Sequence, residues 1–501
     1  MSSRIVDVPG PVHSGLVILD GVGLGVEDVV RLADGTARPV PGSDAMRRAE
    51  ASWNAARTIA ATGRVYGRST GVGANRTEGV PTEAAAKHGL RLLRSHAGAV
   101  GDELPARQVR AMLAVRANQL LAGGAGLRPG IVTALCEALE KGAYPVVNEF
   151  GSVGTGDIAP LAQLGLALAG EHPWRGPGAP APQLLDNNDA LALISSNALT
   201  LGQSALALHE LRGLIAATQV VAALSLLAVD GSHEAYAAPV HAARPHRGSV
   251  EVARRMRKLI GAADRPTPPL GRIQDPYGFR CLPQIHGPAH DAADALEAVL
   301  AVEFNAAAEN PFISPDDLAA YHHGGFYQAQ LVLALDQFRL AITQVARLST
   351  SRLSTLNEPA YTRLRPFLAD HEPASSGVMI LEYAASAALG DLRAFSAPAS
   401  LGHAVLSRGV EEQASFASLA ARQTLRACRA YRLVVGCELV AAVRALRQRD
   451  VRPDPDLPVG RAQALAGSVL DEDPADRPLT ADVTTAAGLL DRLTDIWRGS
   501  T

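Results

Sequence analysis

The sequence contains few of the residues that mark disulfide-stapled or nucleic-acid-binding proteins. It has four cysteines in 501 residues, and none of them forms a CxxC pair. Scattered cysteines of this kind are typical of free thiols in a reducing compartment, not of a disulfide framework. Aromatic residues make up 4% of the chain and the net charge is −3, so no nucleic-acid partner is expected.

Signals for export or for a membrane are also lacking. The first residues, MSSRIVDVPG, do not contain the apolar core of a signal peptide. The most apolar run, residues 214–229, is too short for a membrane span and includes Thr218, Gln219 and Ser225. The sequence therefore predicts a soluble cytoplasmic protein that uses no membrane partner, with this run as a buried core helix.

Helical patterns dominate what the sequence does contain. Alanine and leucine supply much of the 47% apolar content, which favours helix over sheet. One helical stretch ends near Thr62, and residues 81–122 follow a helical pattern. Longer helical patterns cover residues 198–229, 291–303, 316–350, 378–392 and 411–448. These patterns predict a mainly α protein, with a long-helix bundle over residues 196–501 and a smaller α/β part over residues 1–195.

The stretch GSVGTGDIAPL, residues 151–161, is unusually rich in glycine. A phosphate-binding P-loop needs Lys and Ser or Thr after its last glycine, whereas Asp157 stands here and would repel phosphate. The spacing does not match GxGxxG either. One alternative is a turn in which Asp157 caps the next helix and Pro160 lies in its first turn. That alternative accounts for the acid and the proline but not for so many glycines.

Two further stretches carry polar residues whose role the spacing leaves open. His286 and His290 are four residues apart, but Pro288 between them argues against a shared helix face, so core or solvated histidines are expected instead of a metal site. The stretch QDPYGFRCLPQ, residues 274–284, contains Gln, Asp, Tyr and Arg. It is either a structural network or a carboxylate-binding arginine beside a catalytic tyrosine.

Several segments, taken in order, follow the pattern of one family. They are YGRSTGVGAN, LLRSHAGAVG, RANQLLAGGAG, GSVGTGDIAPLAQL, QDPYGFRCLPQ, EFNAAAENP and RGVEEQASF. The fourth is similar to the signature GSxGASGDLAPL, the fifth to QDxYSLRCxPQ, and the last takes the place of a QEDH-type block. From about residue 15 to residue 450 the chain resembles the aromatic amino acid ammonia-lyases and aminomutases. The resemblance implies the ammonia-lyase/fumarase-like helical fold and a homotetramer in which three subunits build each active site.

The resemblance also implies a chemistry. In this family the Ala-Ser-Gly triad of the signature cyclises and loses water to form methylidene-imidazolone, an electrophile made from the backbone, and no external cofactor or metal is needed. The electrophile captures the substrate amine, because ammonia leaves poorly and the β-proton of an amino acid is only weakly acidic. A base then removes that proton.

Residues can be carried over where the motifs match. Tyr66 matches the lid tyrosine that removes the β-proton, and Tyr277 matches a second tyrosine near the amine. Arg280 matches the arginine that pairs with the substrate carboxylate. Gln274 matches a supporting polar residue.

Two further matches concern the substrate side chain. Ser95 and His96 match the selectivity pair in the form found in histidine lyases. Glu411 matches the acid that faces the imidazole in those enzymes, which suits a cationic or hydrogen-bonding side chain. The resemblance therefore implies an α-amino acid substrate with a histidine-like side chain.

The departures from the family pattern lie at the chemistry. Aligned on Asp157, the triad reads Gly154-Thr155-Gly156, and the loop before it is one residue short. If the triad cyclised, Thr155 would give an ethylidene, whose extra methyl hinders attack by the amine. If it did not cyclise, the electrophile would be missing and ordinary deamination would be lost. Both states stay open at this point.

Other segments that surround the prosthetic group in the family are also changed. The family's LxNGT segment reads LISSNA, so that Ser195 takes the place of the supporting Asn and Asn197 lies two residues further on. GGNFH reads GGFYQ, with Phe326, Tyr327 and Gln328, and QEDH reads VEEQ. Either the pocket has been repurposed in a coordinated way or the alignment is shifted by one or two residues.

Three hypotheses follow. The first is a carbon–nitrogen lyase that releases ammonia from a histidine-like amino acid, with a modified electrophile at residues 154–156. The second is a family member without the prosthetic group that carries out an isomerisation or an elimination with a better leaving group. The third is a non-catalytic paralogue. The sequence does not separate a lyase from an aminomutase.

Overall fold

A computed structural model describes residues 15–63, 65–267 and 271–499 of the chain. The N-terminal segment that was searched for a signal peptide lies outside the described residues. The chain divides into two compact units. Unit 1 contains the described parts of Met1–His209, Glu297–Leu335 and Pro398–Arg422, and unit 2 contains those of Glu210–Leu296, Asp336–Ala397 and Gln423–Thr501.

Helices form most of the described structure, and the expected mainly α fold class is confirmed. They are α1 (Val26–Ala33), α2 (Ser43–Thr62), α3 (Thr82–His96), α4 (Ala106–Leu121), α5 (Gly130–Lys141), α6 (Ile158–Leu168), α7 (Asp189–Ile194), α8 (Ala198–Ala228), α9 (Ala238–Ala242), α10 (Arg247–Ile260), α11 (Tyr277–Arg280), α12 (Leu282–Glu303), α13 (Ala329–Leu356), α14 (Pro359–Thr362), α15 (Ile380–Phe395), α16 (Ala417–Gln448), α17 (Pro458–Gly467) and α18 (Thr480–Arg498).

The described strands are short and lie in unit 1. They are β1 (Leu16–Leu19), β2 (Arg38–Pro41), β3 (Val100–Glu103), β4 (Tyr144–Pro145), β5 (Asn148–Phe150), β6 (Trp174–Arg175), β7 (Phe312–Ser314) and β8 (Ala319–Tyr321). Strands β1 and β2 pair in parallel, with Leu16 opposite Arg38. The other pairs, β3–β5, β4–β6 and β7–β8, are antiparallel.

The sequence places a boundary at residue 195, and this linear division stays a prediction. The compact units follow a different path, because the segments Glu297–Leu335 and Pro398–Arg422 rejoin the N-terminal part of the chain in unit 1. Those returning segments carry Tyr327 and Glu411. The candidate site of unit 1 is therefore built from residues far apart in the sequence.

The apolar run at residues 214–229 belongs to α8, a helix of 31 residues. Residues 189–228 are apolar enough in length and composition to cross a membrane, but 83% of their most apolar window is buried inside the protein. A helix that is apolar on all sides and buried in this way is typical of a protein core. The prediction of a buried core helix is confirmed.

The predicted helix over residues 81–122 is wrong as a single element. It is interrupted after His96, and β3 lies between α3 and α4. Gly101 has a φ of +88°, and Pro105 precedes the first residue of α4. Proline disfavours helical backbone at the residue before it, so the chain can restart a helix only after Leu104.

The expectation for the two histidines needs a correction. Pro288 does not separate them, since α12 begins at Leu282 and runs through the proline, so both His286 and His290 lie on this helix. His286 is fully buried, and its pKa is lowered well below the usual value by burial, with Arg352 and His290 adding to the effect. Across the described ranges, no group of three or more His, Cys, Asp or Glu side chains could hold a metal ion.

A buried ion pair organises unit 2. Glu438 of α16 accepts hydrogen bonds from Arg352 Nε (2.6 Å) and Nη2 (2.8 Å), and both side chains are fully buried. Its oxygens also accept from Ser225 (2.7 Å) and Ser349 (2.5 Å). Arg352 Nη1 donates to Gly278 O at 3.3 Å. The network therefore supports α11, the helix that carries Tyr277 and Arg280.

Replacement of Arg352 with leucine should leave the Glu438 charge buried without its partner. We expect Arg352→Leu to lower the free energy of unfolding by about 3–5 kcal/mol, measured by urea denaturation. The double variant Arg352→Leu/Glu438→Leu is the control, because it removes both charges and should recover part of the loss. Equal losses in the single and double variants would contradict this account.

Candidate active site

A cavity of about 780 Å³ lies in unit 1. This volume is within the range of about 300–1,000 Å³ that small-molecule sites occupy. Its walls come from the lid segment (residues 65–80), the glycine loop (residues 151–157), and residues 191–196, 310–327 and 409–413. Of the residues predicted from the sequence, those lining it are Tyr66, Thr155, Gly156, Ser195, Tyr327 and Glu411.

The lid segment is fastened at its base by Arg68. This guanidinium is buried, and it donates from Nη2 to Ala125 O (2.7 Å) and from Nη1 to Gly126 O (3.2 Å). Burial lowers the pKa of Arg68 to about 10, so the side chain remains charged at neutral pH. Thr70 and Gly79 form a β-bridge across the segment. The backbone around Tyr66 is therefore held in place.

The Tyr66 hydroxyl accepts a hydrogen bond from the Gly73 N–H at 2.8 Å. Its ring meets the His322 ring edge-on, with the centroids 6.3 Å apart. Burial raises the pKa of Tyr66, and Glu411 raises it further, while the Gly73 bond and Arg76 lower it. The phenol is protonated at neutral pH, but an amide donor is already in place to stabilise the phenolate.

Residues 407–411 hold the lid from the opposite side. Ser407 Oγ accepts from the Ala74 N–H at 2.9 Å, and Leu406 and Glu411 form a β-bridge. Gly73 has a φ of +55°, and a Cβ added there would lie 2.5 Å from Ser407 Oγ and 3.4 Å from Glu411 Oε1. Only glycine suits this close approach, which brings Glu411 near Tyr66.

The glycine loop is packed against residues 415–418. Ser415 Oγ donates to Gly154 O at 2.7 Å, and the Phe416 N–H donates to Val153 O at 2.8 Å. Gly154 has a φ of +85°, and a Cβ on it would lie 2.2 Å from Ser415 Oγ and 2.8 Å from Phe416 N. In this conformation position 154 accepts no side chain, not even the methyl of the family's alanine.

Asp157 does not cap the helix that follows it, which corrects the simpler interpretation of the glycine loop. No side-chain cap bond is made to α6. The buried carboxylate instead accepts the Thr200 N–H (2.8 Å) and hydroxyl (2.9 Å) in the first turn of α8. Burial raises the pKa of Asp157, and hydrogen bonds from Thr200 and Ser152 oppose the rise. The acid therefore ties the loop to a helix N-terminus, where negative charge is favoured.

The side chains of residues 195–197 form their hydrogen bonds with groups other than the triad. Ser195 Oγ accepts the Asn310 N–H at 3.0 Å, and the Ser196 hydroxyl donates to Gln119 Oε1 at 2.6 Å. Asn197 Nδ2 donates to Phe326 O at 2.8 Å, and its buried Oδ1 has no partner among the described residues. Asn197, a candidate for the family's supporting asparagine, is not among the described residues that line the cavity, and its site role stays a prediction.

Ser95 and His96 lie at the end of α3 and outside the described cavity walls. Ser95 Oγ is 3.0 Å from His96 Nδ1, and both atoms bond to Leu92 O. The chain continues into β3, which pairs with β5 immediately before the glycine loop. The pair is therefore connected to the loop through the pairing of β3 with β5, but the described cavity does not include it.

Gln274, Tyr277 and Arg280 belong to unit 2 and are not among the described residues that line the cavity of unit 1. Tyr277 is 69% exposed, and Gln274 is also exposed. The Arg280 guanidinium carbon lies 4.7 Å from the centre of the Tyr277 ring, and Arg280 Nε donates to Asp275 O at 2.6 Å. The structure therefore brings tyrosine and arginine together on the surface of unit 2.

The cavity also contains residues to which no site role was assigned from the sequence. Arg76, His322, Phe326, Glu412 and Gln413 all line it. Phe326, Glu412 and Gln413 lie in the altered GGFYQ and VEEQ segments, so departures from the family pattern were the available signal. The position of His322 against Tyr66 depends on a distant part of the chain, and no local pattern indicates it.

The sequence model of the aromatic amino acid lyases matches residues 24–467, nearly the whole chain. The chain belongs to this family. Histidine ammonia-lyase from Caldanaerobacter subterraneus subsp. tengcongensis is 33% identical over 449 residues, covering 86% of this chain and 88% of that protein. The histidine ammonia-lyase of Geobacillus kaustophilus is 34% identical over 448 residues, covering 85% and 87%.

Solved structures give the same assignment. Ergothionase from Treponema denticola, an ergothioneine-degrading enzyme, has a TM-score of 0.89 and 26% identity over 96% of this chain and 99% of its own. Histidine ammonia-lyase from Trypanosoma cruzi has a TM-score of 0.88 and 26% identity, covering 97% and 95%. The family resemblance, the helical fold and the class of carbon–nitrogen lyase are thereby confirmed.

Alanine at position 154 should disturb the folded loop. We expect Gly154→Ala to lower the free energy of unfolding by about 1–3 kcal/mol, because it adds backbone strain and a contact with Ser415. Gly98→Ala is the matched control, since a Cβ there meets no atom within 4 Å. Equal urea midpoints for the two variants would show that the loop tolerates a side chain at position 154.

Proposed function

We propose that this protein eliminates an amine from the α-carbon of a histidine-like amino acid, with Tyr66 as the base that takes the β-proton. The observation that carries the proposal is the cavity in which Tyr66, Thr155 and Glu411 meet. The Gly73 N–H is positioned to stabilise the Tyr66 phenolate. The similarity to histidine ammonia-lyases supports an imidazole-type side chain, which Glu411 would bind.

The substrate carboxylate needs a cationic partner, and we propose that Arg280 of another copy of the chain supplies it. Arg280, Tyr277 and Gln274 match the family motif but lie on unit 2, where Tyr277 and Gln274 are exposed. A homotetramer would bury these residues and complete the cavity of a neighbouring subunit. The four cysteines are free thiols, which is compatible with the proposed cytoplasmic location.

The ring-forming chemistry of the family does not fit the residues around the triad. Thr155 would place a methyl on the carbon that the amine must attack. Ser415 and the backbone of Phe416 pack against Gly154 and leave no room for the alanine that begins the family's triad. The Asn197 amide nitrogen, which could support the ring oxygen, donates to Phe326 instead. These contacts support a triad that stays uncyclised.

Without an electrophile, the amine must leave by itself. A base that can remove a β-proton removes an N–H proton of a primary ammonium first, which leaves a poor leaving group. A quaternary nitrogen has no N–H and departs as a neutral tertiary amine. The phenolate form of Tyr66, which the Gly73 N–H stabilises, takes the β-proton and becomes the neutral phenol. The electron pair of the broken C–H bond forms the C=C bond, and the C–N pair leaves with nitrogen.

A known molecule combines these properties. Ergothioneine is a histidine derivative whose α-nitrogen carries three methyl groups, and the similar Treponema denticola enzyme degrades it. We therefore propose a histidine-like substrate with a quaternary α-amine. The second candidate is release of ammonia from histidine itself, which is favoured by the identity to histidine ammonia-lyases and by the Ser95–His96 pair.

Intact mass spectrometry of the denatured protein separates the two candidates. An uncyclised triad predicts the mass of the unmodified polypeptide, because ring formation removes two water molecules per chain. The variant Thr155→Ala is the control, because it lacks the hydroxyl that leaves as the second water and cannot show a deficit of two waters in either case. A mass deficit of two waters in the native protein, absent from the variant, would overturn the proposal of an uncyclised triad.

Turnover of Nα-trimethylhistidine should depend on Tyr66 and not on Thr155. We expect Tyr66→Phe to reduce kcat by about 10²–10⁴-fold, because it removes the base, and Thr155→Ala to retain most activity. The conjugated product can be followed by its ultraviolet absorbance. A loss in Thr155→Ala as large as that in Tyr66→Phe would count against elimination without the electrophile.

A further inference from the structure

The cavity contains an aromatic residue where the family segment GGNFH has asparagine. Phe326 takes that place, Tyr327 follows it, and both line the cavity with Tyr66. Aromatic residues form only 4% of the chain, so this grouping in one cavity is notable. Gln328, the third changed residue, is buried and donates from Nε2 to Glu303 Oε2 at 2.8 Å. The change therefore adds a phenylalanine to the cavity lining, and Gln328 is not among the described residues that line it.

The backbone of Phe326 is tied to the glycine loop. Phe326 O accepts the Asn197 Nδ2–H at 2.8 Å. The residue before Asn197 is Ser196, and its carbonyl oxygen accepts a hydrogen bond of 2.7 Å from the Asp157 N–H. The same oxygen lies 3.8 Å from the position of a Cβ on Gly156. Phe326 is thus anchored beside the loop at which the amine of the substrate is expected.

The cavity also has acidic groups that suit a cation. Glu411 and Glu412 both line it, together with the cationic Arg76 and with His322. Aromatic faces attract cations within about 6 Å of the ring centre, and quaternary ammonium groups are bound in this way. A primary ammonium needs hydrogen-bond acceptors such as the asparagine carbonyl, which phenylalanine does not offer. A quaternary ammonium donates no hydrogen bond, so it loses no hydrogen bond when phenylalanine replaces asparagine.

We propose that Phe326 forms the binding face for a quaternary ammonium head group, with Tyr327 and Glu412 completing the subsite. This inference rests on the proposed function, since it assigns the part of the cavity that holds the leaving group. Where the family captures the amine covalently, this chain binds it by cation–π and charge attraction. Phe326 therefore determines the preference for a trimethylated over a primary amine.

Equilibrium binding tests the assignment without turnover. In the Tyr66→Phe protein, which keeps the ring but lacks the base, Nα-trimethylhistidine and histidine are titrated by calorimetry. We expect the trimethylated ligand to bind more tightly. Adding Phe326→Leu should weaken its binding about tenfold and leave histidine binding unchanged, because leucine fills space without an aromatic face.

Two further variants keep the test independent of folding. Phe326→Tyr retains the aromatic face and should bind the trimethylated ligand nearly as well as the parent. Phe326→Asn restores the family's residue and should shift the preference towards histidine. Circular dichroism and the oligomeric state of each variant serve as checks on structure.

The inference and the proposed function can fail separately. Equal effects of Phe326→Leu on both ligands, no effect on either, or no binding of the trimethylated ligand would overturn the subsite. Binding that depends on Phe326 without any turnover in the native protein would support the subsite and refute the proposed reaction. If the native protein turns over the trimethylated substrate and Phe326→Leu leaves that turnover unchanged, the proposed reaction is supported and the subsite is refuted.

Discussion

The walls of the cavity depend on one buried carboxylate. Asp157 ends the glycine loop and places its side chain at the N-terminus of α8, where Thr200 supplies two hydrogen bonds. Its backbone N–H fixes Ser196, whose neighbours Ser195 and Asn197 hold Asn310 and Phe326. A fully buried carboxyl group needs hydrogen-bond partners in the interior, and Thr200 supplies them here. Asp157 thereby connects the glycine loop to α8 and, through Ser196 and Asn197, to Phe326.

The contacts of the glycine loop connect structure to chemistry. In the family, this loop supplies a covalent reagent, and the neighbouring segments serve that reagent. Here the corresponding groups bond to one another: Ser415 to Gly154, Ser195 to Asn310, and Asn197 to Phe326. Tyr66 and the Gly73 N–H that bonds to its hydroxyl also line this cavity. Removal of the β-proton and capture of the amine are separate steps. A protein of this family can therefore keep the first step and dispense with the second, if its cavity selects a substrate with a better leaving group.

The sequence predicted the parts of the site that local motifs encode. The lid, the triad and the VEEQ segment each carry a recognisable pattern, and the structure brings Tyr66, Thr155 and Glu411 into one cavity. The partners of Asp157 and Asn197 were missed, since they lie 43 and 129 residues away in the sequence. Helix ends were misplaced near prolines, because a proline can either precede the start of a helix or lie within it. Pro105 precedes the start of α4, whereas Pro288 lies inside α12.

The packing around Gly154 has a consequence for the history of the loop. Ser415 and the backbone of Phe416 occupy the space that an alanine methyl would need. A change of Gly154 to alanine alone would meet these atoms. To acquire the family's Ala-Ser-Gly sequence here, the chain would need changes in two distant segments at once, together with an inserted residue. Single substitutions elsewhere in the pocket are therefore more accessible to evolution than a change at this position.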